Sequence, residues 1–424
     1  MLTINLLREK KDFVIERLKV KHFDALPLVT RIIELDDKKR ELQIKVNNSQ
    51  NELNILSKTI GALFKEGKTQ EANKAKESTV GIKEDIKVNE AGMAEYAAKI
   101  EELLVQLPNL PHSSVPEGKT ATDNKEVRSG GKMPADLKNA LPHWDLAAKY
   151  NIIDFELGNK LTGAGFPVYR GKGAKLQRAL INFFLDENQQ AGYEEFMPPL
   201  MVNEDSGFGT GQLPDKEGQM YHVTVDNFYL IPTAEVPVTN FYRDVILDIS
   251  EFPIKNTAYT PCFRREAGSY GKEVRGLNRL HQFDKVEIVQ IQKPEKSYES
   301  LEEMVSHVEG IVKKLELPYR ILRLCGGDMS FTSALTYDFE VFSAAQKRWL
   351  EVSSVSNFES FQANRLKLRY RDAETKKTVL AHTLNGSSLA LPRIVAALLE
   401  NNQTETGIAI PEVLRKYTGF DIID

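Results

Sequence analysis

The sequence predicts an α+β fold in which a long antiparallel α-helical coiled-coil arm precedes a domain built on a mainly antiparallel β-sheet flanked by helices. Apolar residues recur at alternating steps of three and four through two stretches separated by a short polar break, which is the seam of a coiled coil. The next segment is rich in proline, glycine and charge, which is typical of a linker. Short strand-like runs joined by turns or loops follow, and these favour an antiparallel sheet with helices packed on it.

Composition and charge exclude several classes of protein. With 424 residues, 41% of them hydrophobic and 27% charged, the chain has the make-up of a globular protein of two or three domains. The net charge of −4 means that any nucleic-acid binding depends on local patches. Two cysteines, Cys262 and Cys325, are too few for a disulfide framework or a cysteine-rich zinc site.

The N-terminal sequence MLTINLLREKKDF is interrupted by charges, so we expect no signal peptide. No run of about 18 apolar residues occurs, and we therefore expect no membrane-spanning segment. These two expectations, with the low cysteine content, indicate a cytoplasmic location.

The predicted arm covers about 28–107, within an N-terminal helical domain of residues 1–107. Its heptad positions are Ile32, Leu35, Leu42, Val46, Leu53, Leu56, Ile60 and Leu63 in the first helix, and Ile82, Ile86, Asn89, Met93, Tyr96, Ile100, Leu103 and Leu107 in the second. The polar break at 65–70 contains Gly67 and predicts a turn between two helices of similar length, which then pack antiparallel. About 38 residues per helix give an arm roughly 55–60 Å long.

The charge of the arm does not by itself indicate an RNA partner. Residues 28–107 contain 13 Lys or Arg and 14 Asp or Glu, whereas a surface that binds a polyanion normally carries a basic face. Dimerisation or spacing is the ordinary role of an isolated coiled coil, so the function of the arm has to be inferred from the domain that follows it.

Proline ends the second arm helix. Pro108, Pro111 and Pro116 stop it, and 108–135 is predicted to be a linker or a surface excursion. A globular domain is predicted over 136–424, with strand-like runs at 228–232, 258–264, 284–292, 319–324, 337–342 and 349–355 and a long helix followed by a strand within 175–202. Neither a P-loop nor a glycine-rich dinucleotide motif occurs, so ATP would have to bind by another architecture.

The segment 260–291 carries candidate chemistry. Arg264 and Glu266 lie on one face of a predicted strand, and a second strand carries Phe283. The loop between the strands contains the cations Lys272, Arg275 and Arg279. A guanidinium can bridge a phosphate or a carboxylate, a ring can stack on a purine, and a carboxylate can accept from an exocyclic amine. A salt-bridged hairpin is the ordinary alternative.

The segment 382–403 is a second candidate. A turn of small residues opens a helix that carries Arg393 near its start. Small residues let a ligand approach the backbone, and a helix N-terminus favours anions. A plain strand–turn–helix corner has the same pattern.

Together these stretches resemble the second and third signature motifs of the class II aminoacyl-tRNA synthetases, and 176–199 resembles the first motif, which forms the dimer interface. FRREAGSYG followed by RGLNRLHQF is similar to the seryl-tRNA synthetase family in particular. GTGQLP (209–214), PTAEVPVTN (232–240) and LEVSSVSNFESFQANR (350–365) also look like segments of that family. An N-terminal coiled-coil arm is its hallmark, so the resemblance covers essentially the whole chain.

The resemblance implies a class II catalytic domain and an ATP-dependent, AMP-forming serine–tRNA ligase. Such an enzyme activates L-serine as seryl-adenylate, releases pyrophosphate and transfers serine to the 3′-terminal adenosine of tRNA(Ser), with tRNA(Sec) open as a second acceptor. The resemblance also implies Mg²⁺, a homodimer and a tRNA-binding arm. The hypothesised RNA contacts on the arm are Lys38, Arg40, Lys45 and Lys83. Because the cysteine and histidine ligands of zinc-dependent relatives are missing, we expect no zinc.

The resemblance also assigns roles to individual residues. Arg264 and Arg393 are the expected catalytic residues, holding the α-phosphate with the serine carboxylate and the γ-phosphate respectively. The expected ATP-binding set is Arg264, Arg265, Glu266 at the adenine amino group, Phe283 stacked on the ring, Glu351, Val352, Ser353, Ser354 and Arg393, in which Glu351 and Ser354 bind Mg²⁺. The expected serine-binding set is Thr233, Ala234, Glu235 near the ammonium, Arg264, Glu287, Asn385 and Ser387.

Two positions depart from the family pattern. Ser388 stands where many members have glycine, and Pro392 directly precedes Arg393. Both lie at tight backbone positions and bear on the geometry around Ser387. The alternatives outside the family are a ligase that charges a carrier protein, a synthetase-derived regulator without activity and a coiled-coil scaffold. Within the class, an enzyme for threonine or proline is the nearest rival.

Overall fold

The structure is a computed structural model that describes residues 1–134, 140–267 and 275–424. Lys272, one of the candidate loop cations, lies outside the described residues. The chain divides into two compact units, one formed by Met1–Lys19 with Phe23–Pro108 and the other by Val20–His22 with Asn109–Asp424.

The first unit is helical. Its helices are α1 (Ile4–Glu9), α2 (Lys11–Lys19), α3 (Leu26–Lys65) and α4 (Thr69–Leu104). The 40-residue α3 and the 36-residue α4 pack against each other as an antiparallel hairpin, so the arm is about 60 Å long. Gly67 adopts a φ of +75° at the turn, which favours glycine. The seam residues Ile32, Leu35, Val46 and Ile100 are buried, which confirms the predicted coiled-coil arm.

The second unit contains all the strands of the described residues. They are β1 (Lys125–Gly130), β2 (Ile153–Asp154), β3 (Val168–Tyr169), β4 (Glu194–Glu195), β5 (Met201–Val202), β6 (His222–Val223), β7 (Phe228–Leu230), β8 (Ile246–Leu247), β9 (Ile254–Phe263), β10 (Gln282–Gln292), β11 (Tyr319–Arg323), β12 (Leu335–Ser343), β13 (Arg348–Glu359), β14 (Arg369–Arg371), β15 (Thr378–Leu380), β16 (His382–Ala390), β17 (Ile408–Ala409) and β18 (Ile422–Ile423).

The central sheet has eight strands in the order β1-β11-β12-β13-β16-β10-β9-β4. Neighbouring strands are antiparallel, except that β4 runs parallel to β9. Smaller sheets β15-β14-β8, β17-β18, β2-β3 and β5-β7-β6 surround it. The predicted α+β fold with a mainly antiparallel sheet is therefore confirmed.

Helices of the second unit cover the sheet. They are α5 (His143–Lys149), α6 (Phe155–Leu161), α7 (Gly171–Gln190), α8 (Glu204–Thr210), α9 (Glu235–Asn240), α10 (Ser297–Lys314), α11 (Ser360–Leu366), α12 (Leu391–Asn401) and α13 (Glu412–Thr418). The apolar faces of α7, α10 and α12 join Ile288 of β10 and Phe339 of β12 in one buried core. In the described ranges, no helix combines the length and the apolar character needed to cross a bilayer.

The segment predicted as a linker is part of the second unit. Lys125–Gly130 pairs with β11 at the edge of the central sheet, Asn109 donates to the carbonyl of Phe358 at 2.8 Å, and Val115 is buried in the core. The prolines and glycines of this segment stop helices but do not prevent strand pairing at a sheet edge, where one side of the strand needs no partner.

Candidate active site

A cavity of about 530 Å³ lies over strands β9, β10, β13 and β16 and the start of α12. Along β10, Val286 and Ile288 enter the helical core, whereas Lys285 and Glu287 line the cavity. Successive side chains of a strand point to opposite faces, so the cavity occupies the face opposite that core. Every residue of the expected serine and ATP sets lines it, except Ala234 and Arg265.

One group of residues in the cavity wall contains two buried carboxylates and one buried ammonium. Lys285 Nζ lies 2.6 Å from Glu287 Oε2 and donates to Thr233 Oγ1 at 2.7 Å. Glu235 Oε1 accepts from Gln362 Nε2 at 2.6 Å. Burial raises the pKa of Glu235 to about 7, and the negative charge of Glu287 adds to the rise. Among the described residues Glu235 forms no salt bridge, whereas Glu287 is paired with Lys285.

Strand β16 supplies polar groups above these carboxylates. Ser387 pairs with Glu287 across β10 and β16, and its Oγ donates to Glu287 Oε2 at 3.3 Å. Its carbonyl accepts from Ser353 Oγ at 2.5 Å. Asn385 also lines the cavity, and a hydrogen bond from its side chain acts to lower the pKa of Glu235. Asn385 and Glu235 therefore belong to one polar group of cavity residues.

Arg264 and Phe283 form a second group of cavity residues. The Arg264 guanidinium lies over the Phe283 ring at 5.2 Å from its centroid, and its Nε donates to the carbonyl of Pro232 at 3.4 Å. Glu266 is ion-paired with Arg279 at 2.8 Å. Its φ of +47° is a left-handed conformation that costs a non-glycine residue roughly 1–3 kcal/mol. Such strain is typical of functional sites.

Arg393 lies on the first turn of α12. Its Nε donates to the carbonyl of Asn278 at 3.1 Å and its Nη1 to the carbonyl of Glu351 at 2.8 Å. Pro392 stands at the N-terminal turn of the same helix, where its missing N–H would have no intrahelical partner anyway. The departure at Pro392 is therefore compatible with the helix that carries Arg393.

A β-bulge in β13 brings Glu351 and Ser354 to one face. In a regular strand, residues three apart point to opposite sides. Here Ser354 pairs with Asp338 and Glu351 with Glu340 of β12, because the register shifts between them, and residues 338 and 340 share a face. Asp338 Oδ1 on that face is buried and has no hydrogen-bond partner among the described residues. Burial and the nearby Glu351 carboxylate raise the pKa of Asp338.

These oxygen atoms fit a hard divalent cation. Mg²⁺ prefers carboxylate and other oxygen ligands and is held by few protein groups together with substrate phosphates. Among the described residues, no group of three or more His, Cys, Asp or Glu side chains has the arrangement of a metal site. A cation on this face would thus depend on few protein oxygen atoms together with substrate phosphates.

Ala234 and Arg265 lie beside the cavity rather than in its wall. The Ala234 side chain is fully buried against Val238, Ala258 and Val289, so only its backbone is left for a contact with a ligand. Arg265 has its guanidinium 5.9 Å from the centroid of the Tyr221 ring. Their assigned roles stay predictions.

Sequence reasoning missed three residues that shape the site. Lys285 could have been found, because it stands between Phe283 and Glu287 in the two-residue period of β10. Asn278 acts through its backbone carbonyl, and Gln362 comes from α11, which no motif links to Glu235. Contacts of this kind leave no local signal in the sequence.

Comparisons with known proteins agree with this geometry. A family model described as "Seryl-tRNA synthetase N-terminal domain" matches residues 1–111, and one described as "tRNA synthetase class II core domain (G, H, P, S and T)" matches residues 221–402. The curated serine–tRNA ligase of Salinibacter ruber is 52% identical over 99% of this chain and 98% of the relative. The corresponding protein of Akkermansia muciniphila is 48% identical over 100% and 99%.

Two solved structures of seryl-tRNA synthetases also match this chain over its length. The crystal structure of seryl-tRNA synthetase from Pyrococcus horikoshii complexed with ATP matches with a TM-score of 0.92 and 34% identity, covering 100% of this chain and 99% of that one. The cytoplasmic serine–tRNA ligase from Naegleria fowleri in complex with AMP matches with a TM-score of 0.88 and 27% identity.

Proposed function

The chain belongs to the seryl-tRNA synthetase family, and we propose that it joins serine to tRNA at the cavity over β9, β10, β13 and β16. The observation that carries the proposal is that two sets of charged side chains line one cavity. Arg264 and Arg393 form one set, called the phosphate end, and the buried group of Glu235, Lys285 and Glu287 forms the other, called the serine end. A nucleoside triphosphate and a small zwitterion with a polar side chain fit these two sets by charge.

The serine end recognises an ammonium and a hydroxyl. Glu235, which forms no salt bridge with any described residue, is suited to bind the serine ammonium. Glu287 is already held by Lys285 and Ser387 and is suited to bind the serine hydroxyl. A site built to hydrogen-bond a hydroxyl rejects an analogue without one by about 10⁴–10⁵, so alanine should be a poor substrate.

The phosphate end neutralises and orients charge. In the first step, a serine carboxylate oxygen attacks the α-phosphorus of ATP, the bond to the bridging oxygen breaks, and pyrophosphate leaves. This displacement needs in-line positioning and charge neutralisation rather than a covalent catalyst. Arg264 is suited to hold the serine carboxylate and the α-phosphate, and Arg393 the γ-phosphate. In the second step, a ribose hydroxyl of the tRNA terminus attacks the serine carbonyl and AMP leaves.

The remaining residues of the ATP set hold the base and the cation. We propose that Phe283 stacks on adenine and that Glu266 accepts from its amino group, which requires Glu266 to share its carboxylate with Arg279. Glu351 and Ser354 are the proposed Mg²⁺ ligands, and the orphaned Asp338 oxygen supports an oxygen-only site on that face. Bound Mg²⁺ would neutralise charge on the triphosphate.

The two units have separate proposed roles. The arm of the first unit binds tRNA, and the second unit is the catalytic domain. Lys38, Lys45 and Lys83 are exposed on the arm and form no salt bridge with any described residue, whereas Arg40 Nε binds the buried Asp36 at 2.8 Å. Arg40 is thus the weakest of the hypothesised RNA contacts.

A homodimer is proposed from exposed apolar side chains. They belong to the segment that resembles the first class II motif, to the sheet β5-β7-β6 and to the turn between β6 and β7: Met197, Met201, Val225 and Phe228, which are 89%, 50%, 92% and 41% exposed. Exposed apolar patches of this kind mark interfaces. Met197→Asp should convert the dimer to a monomer in light scattering, and Met133→Asp is the matched exposed control. A dimer unchanged by Met197→Asp would place the interface elsewhere.

The decisive experiment is amino-acid-dependent ATP–pyrophosphate exchange with all twenty amino acids and no tRNA. Serine-specific exchange is expected. Exchange with threonine or proline would overturn the assignment of Glu235 and Glu287, and no exchange would favour a regulator without activity. Charging of tRNA(Ser) and tRNA(Sec) then tests the acceptors. A cytoplasmic location and a zinc-free protein stay predictions, and elemental analysis of the purified protein tests the second.

A further inference from the structure

A buried network that adjoins the cavity connects α5, α12 and the turn Arg275–Asn278. His143, the first residue of α5, and Glu400, near the end of α12, both have fully buried side chains. His143 Nε2 accepts from the backbone N–H of Leu277 at 2.8 Å. Its Nδ1 lies 2.8 Å from Glu400 Oε1.

These contacts define the tautomer of His143. A backbone N–H can only donate, so Nε2 is the acceptor and Nδ1 carries the proton that is donated to Glu400. Glu400 Oε1 also accepts from the His143 N–H at 3.0 Å and from Gln346 Nε2 at 3.0 Å, and Oε2 accepts from Ser343 Oγ. Burial alone would raise the pKa of Glu400, but hydrogen bonds from His143 and Ser343 bring it below its usual value.

The turn is fitted to α5 at three successive residues. The Arg275 guanidinium lies over the Trp144 ring, 4.7 Å from its centroid. Gly276 has a φ of +67°, and a Cβ there would lie 2.2 Å from His143 Nε2. Leu277 donates its N–H to the same nitrogen. A side chain at Gly276 would therefore break the contact.

The turn reaches the cavity through the next residue. The Asn278 carbonyl accepts from Arg393 Nε at 3.1 Å, and Asn278 Nδ2 donates to Gln346 Oε1 at 3.0 Å. Arg393 lies in the first turn of α12 and Glu400 in its last turn, so one helix holds the turn Arg275–Asn278 through two contacts. Arg393 holds it directly, and Glu400 holds it through His143.

We propose that His143 is a positioning residue for ATP, which holds the Leu277 N–H so that the Asn278 carbonyl keeps Arg393 directed into the cavity. The role of Arg393 toward ATP rests on the proposed function. The serine end is held by other contacts, because Glu235 is bound by Gln362 and Glu287 by Lys285. Loss of the His143 contact should therefore weaken ATP binding and leave serine binding unchanged.

Two variants of His143 distinguish the roles of its two ring nitrogens. In His143→Gln, the side-chain oxygen can take the place of Nε2 and accept from Leu277. In His143→Asn, the shorter amide can take the place of Nδ1 and donate to Glu400, but it leaves Leu277 without an acceptor. Both variants lose packing volume in the same buried place, so thermal unfolding controls for stability.

The test measures KM for ATP and for serine in pyrophosphate exchange, and ATP affinity by calorimetry without serine. We expect His143→Asn to raise KM and Kd for ATP about tenfold, the effect of one unsatisfied buried backbone donor, with KM for serine unchanged and His143→Gln close to the wild type. Equal effects of the two variants on ATP, or a parallel rise of KM for ATP and serine, would overturn the proposal.

Two safeguards keep the outcome unambiguous. If the wild type shows no serine-dependent exchange, the proposed function fails, and calorimetry with ATP still decides the role of His143. If neither variant folds, Gly276→Ala displaces the same turn while His143 and Glu400 stay in place. It should weaken ATP binding about as much as His143→Asn, and unchanged ATP affinity in that variant would refute the proposal.

Discussion

Replacing Glu235 by Gln should make the protein more stable and a poorer ligase at the same time. The pKa of this buried carboxyl is raised from 4.5 to about 7, so the folded chain binds the proton more tightly than the unfolded chain. The ionised carboxylate therefore destabilises the fold. The penalty is absent below about pH 4.5 and fully present above about pH 7, where the shift corresponds to about 3 kcal/mol.

Gln has no charge to bury, and its side-chain oxygen can still accept from Gln362. At pH 8, Glu235→Gln should raise the free energy of unfolding by up to about 3 kcal/mol, and the gain should vanish as the pH falls toward 4.5. The same change removes the group proposed to bind the serine ammonium, so kcat/KM for serine should fall about 100-fold at pH 8. Denaturant titrations at pH 5 and pH 8 and serine-dependent exchange measure the two effects.

In the wild type, protonation of Glu235 should be visible in the pH dependence of KM for serine. Protonation of Glu235 below its pKa of about 7 removes the carboxylate, so KM for serine should rise about tenfold between pH 8 and pH 6, whereas Glu235→Gln should be flat. Since the Lys285 cation lowers the pKa of Glu235, Lys285→Met should move the midpoint to higher pH. A flat wild-type profile, or a Glu235→Gln variant that is less stable than the wild type at pH 8, would refute the reasoning.

Two further predictions concern the cation and the arm. Asp338→Asn should raise about tenfold the Mg²⁺ concentration that gives half-maximal pyrophosphate exchange, and should weaken Mn²⁺ binding in the presence of ATP by a similar factor, measured by electron paramagnetic resonance. Glu340→Gln, on the same face of β12, is the matched control. Equal behaviour of the two variants would exclude Asp338 from the site. The triple variant Lys38→Glu, Lys45→Glu and Lys83→Glu should reduce tRNA charging at least about tenfold at physiological salt with pyrophosphate exchange unchanged, and normal charging would remove this face of the arm from the RNA interface.

Much of the site was predictable because its residues lie in contiguous segments. Arg264 and Glu266 were expected on a strand, but β9 ends at Phe263 and both residues directly follow it. They still line one cavity with Phe283 of β10. Ala234 illustrates the limit, because a segment match carries no information on which side chains turn inward. Lys285 illustrates a signal that was present in the two-residue period of β10 but that no motif marked.

The arm and the strands β9 to β13 are recognisable from the sequence alone, because heptad and strand periodicities are local and need only neighbouring residues to be recognised. The segment expected to be a turn before α12 is instead β16, which lies between β13 and β10 in the central sheet. Only the tertiary structure decides that Glu351 and Ser354 share a face. Residues three apart on a regular strand point to opposite faces, but the β-bulge between these two residues adds one position and brings both side chains to the same face. The same holds for His143, which meets Leu277 across 134 positions of the chain. Hydrogen bonds between distant segments form once the core has brought them together, and they determine where each catalytic side chain points.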